Sequence, residues 1–270
     1  MDLKNQIITL YKKTATQLPK DITLALKTAK QTEELPLATD TLQNILTNIN
    51  LAKENSKPIC QDTGTPFFYI THPTTNTQQE LKKIILEATT EATEQIPLRP
   101  NAVNTLTDKN IGNTPIIHFE EGEELKIDLM LKGGGSENVS AIYQLPNQKL
   151  NAHRNLNGIR KCAIDAIFNA QGKGCPPYIL GIAAGGNIEE VAHLSKKQLL
   201  RNLNDTNPIE QLKDLEETLL TQINQLNIGP LGLGGKTTAL GVKITTTPRH
   251  PASFFVGISI GCWCLRRQSL

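Results

Sequence analysis

Apolar residues along this chain keep two different periods. Across residues 37–51, Leu42, Ile45 and Ile49 recur at spacings of three and four, and Leu81, Ile84, Ile85 and Ala88 repeat the pattern further on. That spacing gathers them on one face of a helix, so residues 1–95 read as helices joined by short polar turns. Leu125, Ile127, Leu129 and Leu131 instead stand at every second position, the period of a strand with one buried face. Residues 115–119, 178–184, 240–245 and 253–260 are further strand candidates. Between them, residues 187–203 read as a helix whose Asn187 and Glu190 are spaced as in a capping box. Ile209, Leu212, Leu215, Leu219, Ile223 and Leu226 mark another helix, which should stop at Gly229-Pro230. Residues 204–208 serve as the linker. The predicted class is α/β (mixed α+β). A single domain, 1–270, is expected, with a mostly helical N-terminal portion, 1–95, packed on a sheet-containing core, 96–270.

Composition narrows the functional classes. A hydrophobic share of 38% with 20% charged residues fits a globular chain with a core. Apolar runs stay well short of the about 18 residues a membrane span needs, so no membrane is expected. The net charge of +2 comes from interleaved lysines and acids; without a basic stripe, nucleic acid is not an expected partner. Met1-Asp2-Leu3-Lys4-Asn5 lacks the apolar run of a secretory signal, which makes a cytoplasmic location the expectation. Five cysteines, an odd number in a reducing compartment, point to ligation, catalysis or packing rather than disulfides.

Three of those cysteines adjoin turn-forming residues: Cys60 in Pro58-Ile59-Cys60-Gln61-Asp62-Thr63-Gly64, Cys175 in Gly172-Lys173-Gly174-Cys175-Pro176-Pro177, and Cys262 in Gly261-Cys262-Trp263. Thiolates offered from loops can converge on one centre. Zinc ligands usually come in close pairs, and the one such pair, Cys262-Trp263-Cys264, has a poor spacing for a zinc knuckle. Widely separated single cysteines suit an iron–sulfur cluster with one iron left open. Cys162, inside the helical-looking 159–170, reads as core. Cys264 would share a strand face with Cys262 and could neighbour a cluster without binding it. Glycine-rich segments at 132–138, 172–174, 185–187 and 229–236 could offer backbone amides to an anion, Gly185-Gly186 before a helix start most readably. Each can equally be a plain turn. Gly234-Gly235-Lys236-Thr237 is a poor P-loop, because Pro230 stands where its first glycine is required and a strand, not a helix, should follow.

Taken in order, Cys60-Gln61-Asp62-Thr63-Gly64, Lys132-Gly133-Gly134-Gly135-Ser136-Glu137-Asn138, Gly174-Cys175-Pro176-Pro177, Gly234-Gly235-Lys236-Thr237-Thr238 and Cys262-Trp263 resemble the successive motifs of the class I (iron–sulfur) fumarate hydratases and L(+)-tartrate dehydratases. The resemblance runs over residues 40–267 and corresponds to the N-terminal, cluster-binding half, which two-subunit members carry as a separate α chain. It implies that Cys60, Cys175 and Cys262 ligate a [4Fe-4S] cluster with one open iron. Gln61 and Asp62 would then contact substrate, with Asp62 also placed for proton transfer, and His250 would be a catalytic residue near it. Arg99, in Leu98-Arg99-Pro100-Asn101, would bind a substrate carboxylate through two parallel donors. Gly134, Gly135, Gly185 and Gly186 would supply amides to substrate or sulfide, and Lys236 would contact substrate or serve structure.

The implied reaction is the reversible hydration of fumarate to L-malate, a step of the tricarboxylic acid cycle, with L(+)-tartrate dehydration as the alternative. The open iron would act as a Lewis acid on the hydroxyl, and a base from the C-terminal half would take the C3 proton. The sequence stops at Leu270, just past the last motif, so a β subunit bearing that half is expected, in an α2β2 heterotetramer. An iron–sulfur sensor or scaffold is the non-enzymatic alternative. Gln61, Asp62, Arg99 and His250 argue against it, because a sensor has no use for substrate-binding groups.

Overall fold

The computed structural model describes residues 2–73, 77–96 and 98–270. The chain divides into two compact units. Met1–Pro19, Thr47–Gly134 and Cys264–Leu270 form the first, and Lys20–Leu46 with Gly135–Trp263 form the second.

In the first unit, helix α1 (Leu3–Thr16) begins where the Asp2 side chain accepts the Asn5 amide at 2.8 Å, an N-cap that satisfies one orphan donor. Its Ile7, Leu10, Tyr11 and Ala15 share a core with Leu81, Ile85, Ala88 and Ala92 of α4 (Gln78–Gln95). The same core takes Phe68 and Ile70 of β1 (Thr65–His72) and Ile127, Leu129 and Leu131 of β5 (Lys126–Lys132). The sheet runs β10 (Arg266–Ser269), β5, β1, β4 (Ile116–Glu121), with β1 parallel to β4 and antiparallel to β5. A short pair, β2 (Ala102–Val103) and β3 (Asn110–Gly112), stands apart from it.

Two of these strands depart from the sequence reading. β1 lies within the stretch read as helical. Phe67 to Ile70 are buried without a break, so the alternation that marks a half-exposed strand is missing. β10 is all polar, and it becomes a strand because β5 offers it an edge, from Arg266 opposite Leu131 to Ser269 opposite Asp128. β5 itself follows its predicted alternation, yet Met130 and Lys132 on its other face are buried as well.

The second unit has the sheet β6 (Ala141–Gln144), β9 (Phe255–Gly261), β7 (Tyr178–Gly185), β8 (Ala239–Thr247). β7 is buried throughout. On one side Leu180, Ile182 and Ala184 pack with α6 (Leu156–Ala170) and α8 (Glu210–Asn224). Helix α7 (Ile188–Gln198) also packs on this sheet, where Ser195 Oγ lies 3.0 Å from Ser259 Oγ. The predicted cap forms: Asn187 Oδ1 accepts the Glu190 amide at 2.9 Å. The reciprocal half does not, since Glu190 Oε1 instead accepts from Thr247 Oγ1 at 2.6 Å. α7 is shorter than expected because the amides of Leu199, Leu200 and Arg201 bond three residues back rather than four, a tightened turn that ends the helix. α8 ends at Asn224, whose side-chain oxygen accepts the Thr238 and Ala239 amides at 2.9 and 2.8 Å. Of the remaining helices, α2 (Lys20–Thr32) belongs to this unit, α3 (Pro36–Glu54) contributes to both, and α5 (Gly134–Asn138) starts at their boundary. A 3-10 turn spans Pro230–Gly232. No helix among the described residues is long and apolar enough to cross a membrane.

Both units therefore follow one strand plan. A central strand, β1 or β7, has a parallel neighbour on one side and an antiparallel one on the other, and the antiparallel neighbour carries an antiparallel edge strand. Thr65 opens β1 opposite Lys132, and Ile179 near the start of β7 faces Gly261. In each unit, the loop entering the central strand thus lies beside the end of its antiparallel neighbour.

Candidate functional site

In the first unit, that place is occupied by Cys60 to Gly64. Ile59 anchors the loop, its amide donating to Ala15 O at 3.0 Å and its carbonyl accepting from Asn48 Nδ2 at 2.9 Å. Asp62 ties it to two further segments. Its Oδ1 accepts from Gly64 N at 2.8 Å and Asn101 Nδ2 at 2.9 Å, and its Oδ2 accepts from Gly134 N at 2.8 Å. Thr63 Oγ1 donates to Arg99 O at 2.7 Å. Gly64 has φ +79, and a Cβ there would fall 2.8 Å from the Lys132 backbone, so only glycine lets the loop pass this closely.

The crowding ends at the glycines after β5. A Cβ on Gly134 would meet only Asp62 Oδ2 at 3.9 Å, and one on Gly135 only Lys173 O at 3.7 Å, both ordinary contacts. No crowding within either unit requires glycine at these two positions. Both residues are exposed, and each has room for a Cβ.

Cys60 is half-buried. A hydrogen bond from the buried Cys264, the Asp62 amide and the charge of Arg266 together draw its thiol down to about 6, against the opposing effect of burial. Such a sulfur is a thiolate at neutral pH, the form that binds metal. Cys162 is the opposite case, as expected: burial first, then the Asp165 carboxylate, push it up to about 12. In the metal-free chain, alkylation of Cys60 by iodoacetamide should rise through half its plateau near pH 6, while Cys162 stays unlabelled at pH 7. Equal labelling of the two by peptide mapping would remove this environment from Cys60.

The second unit places Cys175 and Cys262 at its corresponding position. Cys175 takes φ +59, a left-handed conformation costing roughly 1–2 kcal/mol for a residue with a side chain. It is held there by its amide donating to Gly172 O at 3.2 Å and its carbonyl accepting from Trp263 N at 3.1 Å. Tyr178 braces the loop, its hydroxyl accepting from Gly174 N at 3.1 Å and donating to Gln171 O at 2.6 Å. Burial raises the Tyr178 phenol to about 12, and both cysteines are close enough to add to that shift. Among the described residues, no group of three or more His, Cys, Asp or Glu side chains is gathered for a metal ion.

Gly185, Gly186, His250 and Lys236 lie elsewhere in the second unit. Gly185 and Gly186 end β7, at the far end from Cys175. Gly185 pairs with Thr247 and Phe255, and the Gly186 amide donates to Pro248 O at 3.2 Å. His250 is exposed in the loop between β8 and β9, with Nδ1 accepting from Ala252 N at 3.1 Å. An eight-residue strand separates this end from Cys175, a span of roughly 23 Å at about 3.3 Å per residue. Lys236 is exposed and ion-paired to Glu34, while its amide donates to both Glu33 carboxylate oxygens at 3.1 and 2.9 Å. The anion at that glycine loop is therefore the chain's own Glu33. Gln61 and Arg99 are exposed, and their side chains have no hydrogen-bond or ion-pair partner among the described residues.

Sequence reasoning missed Asn101, Tyr178, Glu33 and Arg266, since an asparagine, a strand-initial tyrosine, one of two adjacent glutamates and an arginine in a polar tail carry no motif. Cys264 was expected on the strand of Cys262. The strand ends at Gly261, and Cys264 reaches Cys60 from the turn beyond it.

The model of the fumarate hydratase (Fumerase) family matches residues 4–270. The chain belongs to the fumarate hydratase family. Within this family, a Geobacillus stearothermophilus protein provisionally named a class I fumarate hydratase is 42% identical over 269 residues, which are 96% of this chain and 52% of that protein. A Methanocaldococcus jannaschii chain provisionally named an L(+)-tartrate dehydratase α subunit is 38% identical over 99% of this chain and 96% of its own length. The L(+)-tartrate dehydratase α subunit of an Escherichia coli strain is 31% identical, with 95% and 86% covered. This family member thus spans about half of the Geobacillus protein and nearly all of the two α subunits.

Proposed function

We propose that this chain is the α subunit of a [4Fe-4S] hydro-lyase, acting with a β subunit as a fumarate hydratase. The observation that carries the reading is the sorting of the five cysteines. Cys60, Cys175 and Cys262 are accessible on motif loops beside strand ends, whereas Cys162 and Cys264 are buried. Thiolate character at Cys60, the left-handed backbone at Cys175 and the open room at Gly134 and Gly135 fit a bulky, thiolate-ligated group. Cys60, Cys175 and Cys262 would hold it. When bound, the cluster supplies Lewis acidity toward the hydroxyl and carboxylate of a dicarboxylate through the iron that lacks a protein ligand. Arg99 would clamp a substrate carboxylate with two parallel N–H groups, for which its unengaged guanidinium is ready. Gln61 would donate its amide to the substrate. Asp62, with three donors already on its carboxylate, would chiefly fix the positions of these neighbours. Gly185, Gly186, His250 and Lys236 carry no assigned role in this reading.

The α-subunit names of the Methanocaldococcus and Escherichia relatives support a β partner and also favour a second reading, L(+)-tartrate dehydratase; an α2β2 assembly is our proposal for the pair. Five cysteines, none of them in a disulfide among the described residues, support a cytoplasmic location in this reading. The test is the iron and acid-labile sulfide content of the chain prepared anaerobically, beside Cys262→Ser and Cys162→Ser. About four of each in wild type and Cys162→Ser, with a marked loss in Cys262→Ser, is expected. Zinc, or no metal in any of the three, would end the proposal. Hydration of fumarate against dehydration of L(+)-tartrate by the assembled enzyme then chooses between the substrates.

A further inference from the structure

Arg266 is the largest side chain in the protein to be almost wholly buried, with 1% of its surface exposed. It opens β10, opposite Leu131 of β5. A guanidinium keeps its charge at any ordinary pH and carries five N–H donors, so a buried arginine normally has a carboxylate or several carbonyls around it. Arg266 has neither. Its Nε and Nη1 are buried with no hydrogen-bond partner, and among the described residues no acidic group pairs with it. An idle buried cation is costly to the fold, which calls for an acceptor that the polypeptide itself does not supply.

The register puts the guanidinium at the end of the sheet that carries the Cys60 loop: Arg266 stands opposite Leu131, whose other neighbour is Pro66, two residues after Gly64. Cys264, two residues before Arg266 and 2% exposed, hydrogen-bonds Cys60. All three residues belong to the first unit. A [4Fe-4S] core held by three thiolates is an anion whose sulfurs are hydrogen-bond acceptors, and hydrogen bonds to those sulfurs stabilise it and set its potential.

We propose that Arg266 is a positioning residue for the cluster, its idle Nε and Nη1 donors kept for sulfur acceptors that arrive with it, while Cys264 orients Cys60. This rests on the cluster reading above. The experiment compares full-length wild type, Arg266→Met and Arg266→Lys, each without metal and after anaerobic reconstitution. Three quantities are read: thermal unfolding of the metal-free chain, the rate of iron loss to a ferrous chelator, and the midpoint potential of the cluster by EPR-monitored titration. Arg266→Met is expected to melt no lower than wild type without metal, because an uncompensated buried charge has gone. Once reconstituted, it should lose iron on the order of ten-fold faster, with its potential moved negative as a positive charge leaves. Arg266→Lys, which keeps the charge without the fork, should hold the potential closer to wild type and still lose iron faster. Wild-type iron loss and an unmoved potential in Arg266→Met would overturn the inference. So would a metal-free Arg266→Met that fails to fold or melts well below wild type, since the guanidinium would then be serving the polypeptide. If wild type itself takes up no iron and sulfide, the cluster reading fails first, and this inference goes with it.

Discussion

Replacing Glu216 by alanine is expected to cost the second unit roughly 3 kcal/mol, the low end of the penalty for breaking a buried ion pair, because Arg201 is only half-buried. Glu216 sits on α8 and is 7% exposed. Its Oε1 accepts from Arg201 Nη1 at 2.9 Å, Asn207 Nδ2 at 2.8 Å and the Ile244 amide at 2.7 Å. One oxygen thereby joins the segment after α7, the approach to α8 and strand β8. Arg201 and the buried Lys243 both bond Asp205 as well, so losing Glu216 leaves two cations around a single carboxylate. The Ile244 amide also loses its acceptor inside the fold. Glu216→Gln keeps an acceptor of the same shape without the charge and should cost about half as much, from the strength of hydrogen bonds to charged groups. Urea unfolding followed by circular dichroism measures both. A Glu216→Ala midpoint within error of wild type would mean that the network contributes nothing to stability.

At Asp62 the expected effect is on function as much as on stability. Alanine there releases Gly64, Asn101 and Gly134 together, and three charge-assisted hydrogen bonds on a half-buried carboxylate suggest a loss of about 2–4 kcal/mol. The loop of Cys60, the segment of Arg99 and the glycines after β5 would then drift independently. A misplacement of about 1 Å costs on the order of a hundred-fold in turnover, so hydration by the assembled enzyme should fall at least that far, together with iron retention. Asp62→Asn is the informative companion. Its one remaining oxygen can still serve Gly64 and Asn101, so iron should stay while turnover drops. Full iron retention in Asp62→Ala would remove the bracing role assigned to this carboxylate.

The helices were legible because their apolar positions repeat over several turns: α3 buries Leu42, Ile45 and Ile49, α4 buries Leu81, Ile85 and Ala88 but leaves Ile84 half-buried, and α8 buries Leu212, Leu215, Leu219 and Ile223 while Ile209 stands exposed before its first turn and Leu226 lies past its end. Strands were legible only where one face differs from the other or a long β-branched run stands alone. β1 has no such contrast, and β10 has no apolar residue at all, so each needs its partner strand to be seen. At the candidate site, the nature of each loop could be read but not its address. Gly134-Gly135 and Gly185-Gly186 look alike as text, yet one pair follows the strand beside Cys60 and the other closes the far end of β7. Only strand direction separates them. Likewise a sequence shows Arg266 as one of two adjacent arginines near a terminus, and nothing short of its surroundings reveals that it is buried and idle.

The first unit is discontinuous: β10 completes a sheet begun by β1, β4 and β5, but all the strands of the second unit lie between them in the chain. Domains generally take shape in the order in which they leave the ribosome, and here that order runs against the first unit. While the second unit is being made, β5 waits with an unpaired edge, and Cys60 has neither the S–H of Cys264 nor the charge of Arg266 beside it. The Cys60 sulfur thus keeps the surroundings of an ordinary thiol until Cys264 and Arg266 have been made. Topology thereby ties the environment of one loop near the start of the sheet to the strand that completes it.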